Sequence, residues 1–363
     1  MGFTCGIVGL PNVGKTTIFN ALTSCKAEAS NYPFCTINPN LGIVRVPDER
    51  LYKIAELIHP PKVTSTNLEF LDIAGLVKGA NQGEGLGNQF LGHIRNVDAI
   101  CHVVRCFENP DVAHVSNIVD PKQDIDIVNT ELILADMDTV DKRLDKTEKL
   151  LKTGDKNIVN LLEIYRKIRE GLNIGKSARN LELEDNEKKI VEELNLLTFK
   201  PVFYVANVDE GELQNGRYTQ TIKEISKKEC TDVVVICGDL EAEMTELDED
   251  ERDAFLKELG LEQSGLGRLV KVGYNLLKLI TFYTAVGSEL RAWTVSEDTN
   301  ANKAAGKIHS DMEKGFIKAE VIHYNDFIDA GSMTAAKEKG LIHLEGKEYH
   351  VQNGDIIHFR FNT

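Results

Sequence analysis

The chain has no apolar run near the ~18–20 residues a membrane-spanning helix requires, so no membrane span is expected. Its first residues, Met1-Gly2-Phe3-Thr4-Cys5, carry no basic stretch and pass straight into a strand-like run. No secretory signal is expected from such a start. The seven cysteines are scattered and include no metal-type Cys-x-x-Cys pair. That pattern fits reduced thiols in a cytoplasmic protein. An excess of positive charge is also missing. Lys and Arg number 42 against 57 Asp and Glu, a formal net charge of −15. This balance argues against broad nucleic-acid wrapping, which needs clustered cations, and leaves room for a local basic face. Internal repeats and low-complexity tracts are absent as well. What is present suits a globular chain of two or three domains: 363 residues, 42% hydrophobic and 27% charged. The acidic run from Glu241 to Asp253 supplies part of the imbalance and reads as a solvated helix or loop face.

Short apolar runs recur at FTCGIV (3–8), LEFLDI (68–73), AICHVVRC (99–106), PVFYVAN (201–207) and DVVVIC (232–237). Each ends in polar or glycine signals, and helical stretches separate them. The pattern predicts buried parallel strands in a βαβ architecture, an α/β fold. From about Asp126 to Leu197 the texture changes. Leu144, Leu150 and Leu151 sit among charges of both signs, and Ile158, Leu161, Leu162, Ile164 and Ile168 follow at helical spacing. A break at 171–175 (GLNIG) separates two helical stretches, which predicts an antiparallel helical hairpin inserted into the sheet domain. Beyond a helix at 269–277 come ITFYTA, LRAWTV, FIKAEVI and EYHVQ-NG-DIIHFRF. Asn353-Gly354 between alternating runs predicts a closing hairpin. A small α+β module is expected at about 280–363.

The first strand runs into Gly9-Leu-Pro-Asn-Val-Gly14-Lys15-Thr16, a full G-x-x-x-x-G-K-[ST] match between a strand and a helix. Glycines let backbone N–H groups turn inward around phosphate oxygens, and the helix N-terminus adds its dipole. Lys15 is placed to reach the β and γ phosphates, and the Thr16 hydroxyl to ligate Mg²⁺. The run LEFLDI then delivers Asp72 at a strand end, followed by Ile73-Ala74-Gly75. Asp-x-x-Gly in this position supplies a carboxylate for Mg²⁺ and a glycine N–H for the γ phosphate. Between the two lies Asn31-Tyr-Pro-Phe-Cys-Thr36, where Thr36 is the candidate to complete the Mg²⁺ shell.

The stretches GLPNVGKTT, NYPFCT, DIAGLVKGANQGEGLGNQFL, VVRCFENPDVAHV and VQNGDIIHF resemble the YchF or Obg-like ATPase family, and the likeness runs the length of the chain. That family belongs to the translation-factor branch of P-loop proteins. The resemblance implies a P-loop G domain over 1–125 and 198–279, an inserted helical (coiled-coil) hairpin over 126–197, and a C-terminal β-grasp (TGS) module over 280–363. It also implies ATP hydrolysis and association with the ribosome, chiefly its large subunit. The phosphate and nucleotide contacts fall on Asn12, Val13, Gly14, Lys15, Thr16, Thr17, Gly75, Asn207 and Val208, and the metal contacts on Thr16, Thr36 and Asp72.

In many relatives a glutamine after Asp-x-x-Gly orients the attacking water; here the residue is Leu76, which cannot hold water by hydrogen bonds. Asn12 can help coordinate a monovalent cation such as K⁺, placing positive charge beside the phosphates. A slow, K⁺-stimulated ATPase is therefore expected. The resemblance points to His114 as catalytic; its chemistry alone is that of a surface-loop histidine. His102, inside an apolar run, reads as a packed core histidine. Six glycines between 75 and 92 describe a segment that is costly to order. Cys35 adjoins Thr36 and offers redox control of that loop only with a lowered thiol pKa.

The run FYVANVDEGE (203–212) stands where a base is read. A guanine reader carries Asn-Lys-x-Asp, whose acid accepts from guanine N1–H and N2–H₂; adenine offers neither donor. Here Val208 replaces the Lys and Glu210 the Asp. The expectation is an adenine site, with Glu210 turned away and Val208 packed beside the base. The expected protein is an ATP-hydrolysing ribosome-binding switch. The alternatives are a GTP switch with relaxed reading and a nucleotide-modulated RNA-binding module, the last resting on Lys142, Arg143, Lys146, Lys149, Lys152 and Lys156, among which acids interleave.

Overall fold

The computed structural model describes residues 3–24, 40–73, 86–110, 112, 118–151, 155–213 and 216–362. Numbered in chain order, the first elements are β1 (Thr4–Val8), α1 (Lys15–Ser24), β2 (Leu41–Arg45), α2 (Glu49–Ile58), β3 (Lys62–Thr64), β4 (Asn67–Asp72), α3 (Leu86–Arg95) and β5 (Ala99–Cys106). The middle of the chain forms α4 (Pro121–Glu148), α5 (Lys156–Asn173), α6 (Asp185–Leu194), β6 (Val202–Val208), α7 (Arg217–Glu229), β7 (Val233–Ile236), α8 (Gly238–Met244), α9 (Glu249–Glu258) and α10 (Gly265–Leu276). The remainder forms β8 (Leu279–Val286), β9 (Glu289–Ser296), α11 (Ala301–Ile308), α12 (Ser310–Lys314), β10 (Phe316–Ile322), α13 (Tyr324–Ala330), α14 (Met333–Glu338), β11 (His343–Glu345) and β12 (Ile356–Phe361).

Two compact units result: Met1–Gly42 with Glu69–Gly273, and Ile43–Leu68 with Tyr274–Thr363. Residues 43–68, read from sequence as nucleotide-binding domain, fall in the second unit. The reason is apolar: Leu51 and Ile54 of α2 are fully buried against Tyr283, Leu290 and Phe327.

One sheet has the strand order β2-β4-β1-β5-β6-β7, and β1, β5, β6 and β7 belong wholly to the first unit. The pairs β1–β4, β1–β5, β5–β6 and β6–β7 are parallel. The edge strand β2 is antiparallel to β4, since Asp72 N donates to Asn40 O while Val46 N donates to Thr66 O. Strands β5 and β6 are buried along their whole length, which is why they read as continuous apolar runs.

Helix α4 starts cleanly: Asp120 accepts from Lys122 N and Gln123 N, and Pro121 takes the first position. It packs antiparallel to α5, because Glu148 pairs with Arg166 and Asp141 with Arg169. Helix α4 ends at Glu148 and α5 begins at Lys156, so the two helices are not separated at 171–175. Residues 171–175 instead end α5, where Gly171 meets Leu181 closely enough that a Cβ would come within 2.3 Å of its Cδ2. The hairpin reading caught the pair of helices and misplaced the turn, because a glycine pair outweighed the charged KLLKTGD stretch.

The second unit carries the mixed sheet β11-β10-β12-β8-β9-β3. The β8–β9 hairpin is antiparallel, β12 runs parallel to β8 and antiparallel to β10, and this is a β-grasp arrangement. Successive residues feed opposite cores. Phe282 faces the alanine side of α11, and Tyr283 faces α2 and α13. The closing hairpin expected at Asn353-Gly354 does not form. Segment 349–351 pairs with 299–301 instead, and the Asn-Gly turn docks on β8: Asn353 Oδ1 accepts from Thr281 N, and Gly354 N donates to Thr281 O. A tertiary partner for the turn outweighs the local hairpin signal.

Candidate functional site

Strand β1 ends against the loop Gly9–Gly14, which enters α1. Gly14 has φ +91°, and an added Cβ would sit 2.2 Å from Asn207 Nδ2, so a side chain is excluded. Asn12 adopts φ +61° and is exposed. Lys15 is 8% exposed, and its ammonium donates to Leu10 O at 2.7 Å. Burial lowers the Lys15 pKa to about 8, with Asp72 pulling it back up.

Asp72 ends β4, beside β1, and so comes to Thr16: Thr16 Oγ1 donates to Asp72 Oδ2 at 3.3 Å. Its other oxygen, Oδ1, is buried with no hydrogen-bond partner among the described residues. Burial raises the Asp72 pKa, partly offset by Lys15 and Thr16. A buried, unpaired carboxylate oxygen next to a hydroxyl is costly without a cation. Two hard oxygen donors suit Mg²⁺, which keeps waters and phosphate oxygens for the rest of its shell. Among the described residues there is no cluster of three or more His, Cys, Asp or Glu that holds a metal by itself. Thr36, Gly75, Leu76, Cys35 and His114 lie outside the described residues.

Asn207, at the end of β6, is 5% exposed and bridges two loops. Its Nδ2 donates to Val13 O at 3.0 Å, and its Oδ1 accepts from Gly238 N at 2.9 Å. Above these groups opens a cavity of about 340 Å³. Its floor is Asn12, Gly14, Lys15, Thr16 and Thr17, and one wall is Asn207, Val208, Asp209, Gly238 and Asp239. Glu210 is absent from that lining and stands exposed in a 3₁₀ turn, Glu210–Glu212. Val208 lines the cavity as well. The residue is 2% exposed and packs with Val104, Cys106, Tyr204 and Ala206 of the core behind it.

The opposite wall is Phe107, Asn109 and Val112, none of them singled out from sequence. It follows β5, whose Arg105 is 2% exposed. The guanidinium donates to Phe107 O (Nε, 3.1 Å), Val112 O (Nη1, 3.0 Å) and Asn109 O (Nη2, 3.2 Å), and lies 4.5 Å from the Phe107 ring centroid. The signal in the sequence is an arginine inside the apolar run AICHVVRC. His102 is buried, as read from sequence, and burial lowers its pKa to about 3.

Comparison with known proteins places this geometry. A family profile described as "50S ribosome-binding GTPase" matches residues 4–162. A second, for the C-terminal part of YchF GTPases and described as a protein of unknown function (DUF933), matches 279–362. The ribosome-binding ATPase YchF of Bacillus subtilis is 53% identical over 366 residues, covering 100% of both chains. The chain belongs to the YchF family. The YchF of Escherichia coli O157:H7, also named a ribosome-binding ATPase, is 50% identical with 100% coverage of both. Among solved structures, the Schizosaccharomyces pombe YchF GTPase is 36% identical with a TM-score of 0.90, covering 99% of this chain and 98% of that one. A Pyrococcus horikoshii GTP-binding protein, 17% identical with a TM-score of 0.64, shares the fold. YchF relatives thus carry both base labels, ATPase and GTPase, in their names.

Proposed function

We propose that this protein is a Mg²⁺-dependent, ATP-hydrolysing switch that binds the ribosome. The P-loop floor supplies phosphate binding, and Thr16 with Asp72 would hold Mg²⁺, whose role when bound is to neutralise phosphate charge. The observation that carries the adenine reading is the position of Glu210. The acid that replaces the guanine-reading Asp lies outside the cavity lining, and Asn207 is engaged by Val13 and Gly238. Guanine N1–H and N2–H₂ therefore meet no acid from position 210. The names of the bacterial relatives support both ATP hydrolysis and ribosome binding. With Leu76 in place of a water-orienting glutamine, hydrolysis is slow, and K⁺ held near Asn12 stimulates it. His114 is the candidate catalytic side chain.

A second reading, GTP as the preferred nucleotide, has one observation in its favour: Asp209 does line the cavity and is an acid. Titration of ATP and GTP against nucleotide-free protein separates the two. ATP is expected to bind about tenfold tighter, roughly 1.4 kcal/mol. Tighter GTP binding overturns the adenine reading. Co-sedimentation with ribosomes is expected at low salt, with large-subunit contact weakening as salt rises if it is made to rRNA. No co-sedimentation at low salt removes the ribosome as partner.

A further inference from the structure

The nucleotide cavity has one wall whose shape depends on a single buried side chain. We propose that Arg105 is a positioning residue for nucleotide binding, holding Phe107, Asn109 and Val112 as one wall of the cavity. The inference rests on the reading of this cavity as a nucleotide site.

Three facts carry it. First, Arg105 spends all three kinds of guanidinium nitrogen on three different backbone carbonyls, those of Phe107, Asn109 and Val112. A planar fork that reaches three carbonyls within six residues curls the backbone around itself. Second, the same three residues are the ones that line the cavity from this side. The clamp therefore acts on the wall itself rather than on a distant support. Third, the cation is 2% exposed and, among the described residues, has no carboxylate partner. A charge buried on carbonyls alone is a poor way to stabilise a strand end, since apolar packing would serve there at lower cost. It is a good way to fix backbone at Phe107, Asn109 and Val112, none of which lies in a helix or strand. Tyr218 OH adds a second tie, donating to Glu108 Oε1 at 2.6 Å from α7.

A pre-formed wall lowers the ordering cost of binding, so its loss appears in affinity for the part of the ligand it touches. Phosphates sit on the P-loop floor; the base and ribose meet the walls. The test compares Arg105→Gln, Arg105→Lys and wild type for binding of ATP, GTP and inorganic tripolyphosphate, with KM and kcat measured alongside. Both variants are expected to weaken ATP by roughly tenfold, to raise KM, and to leave tripolyphosphate affinity and kcat within about twofold. Lysine does not rescue, because one ammonium cannot span three carbonyls. Equal weakening of ATP and tripolyphosphate, or no weakening of ATP, overturns the proposal. Should both variants fail to fold, Tyr218→Phe decides. It keeps the ring and removes only the tie to Glu108, and an unchanged ratio of ATP to tripolyphosphate affinity then overturns the proposal. A wild type that prefers GTP overturns the adenine reading alone, since the Arg105 effect is read on whichever nucleotide binds relative to tripolyphosphate. A wild type that binds tripolyphosphate and neither nucleotide overturns both.

Discussion

Asn207 joins the P-loop to the turn after β7 through two hydrogen bonds made from within the core. Removing it strands the Gly238 N–H and the Val13 carbonyl. Asn207→Ala is expected to cost about 1–3 kcal/mol in urea unfolding and to weaken ATP binding at least as steeply. Gly14 abuts the same amide, so any side chain there should abolish nucleotide binding. His102 makes a second prediction at this scale. Burial holds its folded pKa near 3, below its ordinary value of 6.5, so in that interval the unfolded chain binds more protons than the folded one. Stability should therefore fall as pH drops from 6.5 toward 3, by up to about 1.4 kcal/mol per pH unit from this group. Chemical denaturation across that range, compared with His102→Asn, checks the slope; an identical slope in the variant refutes it. The meeting of Lys15, Thr16 and Asp72 around one loop was legible from spacing, because a loop between one strand and one helix is local chemistry. Arg105 was not, since its partners become visible only once the segment curls back on it.

At the scale of elements, Asp136 ties α4 to the segment that leads into the strand carrying Asn207. It is fully buried and accepts from Leu197 N (2.8 Å), Thr198 N (2.7 Å) and Thr198 Oγ1 (2.7 Å), just before β6 begins. Burial raises its pKa, and these hydrogen bonds oppose the rise. Asp136→Ala leaves three donors without an acceptor. A loss of about 3–5 kcal/mol is expected by denaturant unfolding, with Asp136→Asn intermediate. A loss below about 1 kcal/mol would mean that water replaces the carboxylate. Helix existence was legible here from periodicity, and the boundary between α4 and α5 was not. Exposed charged turns and exposed charged helix faces have the same composition.

For the whole molecule, the second unit is completed by a segment from early in the chain. Strand β3 pairs in parallel with β9, Asp48 accepts from Tyr283 OH, and the Thr66 and Thr294 hydroxyls meet. In covalent order this segment lies between the stretch bearing Thr36 and the strand bearing Asp72. Leu51→Ala or Ile54→Ala is expected to destabilise the second unit by about 2–5 kcal/mol, seen as faster amide exchange in β8, β9 and β12. Unchanged exchange there would show that α2 is dispensable to this core. A chain ending before residue 274 should expose the same apolar face and aggregate.

The sequence by itself determined the P-loop, the Asp72 strand end, the buried parallel strands and the departure from a guanine reader at 208 and 210. Each of these is written in contiguous residues whose conformational preferences and chemistry are local. Tertiary structure alone decided that Arg105 holds a cavity wall, that Asn353-Gly354 docks on β8 rather than closing a hairpin, and that residues 43–68 belong with the C-terminal sheet. Those outcomes depend on burial and hydrogen-bond partners far away in the chain, and a local preference worth a fraction of a kcal/mol yields to them.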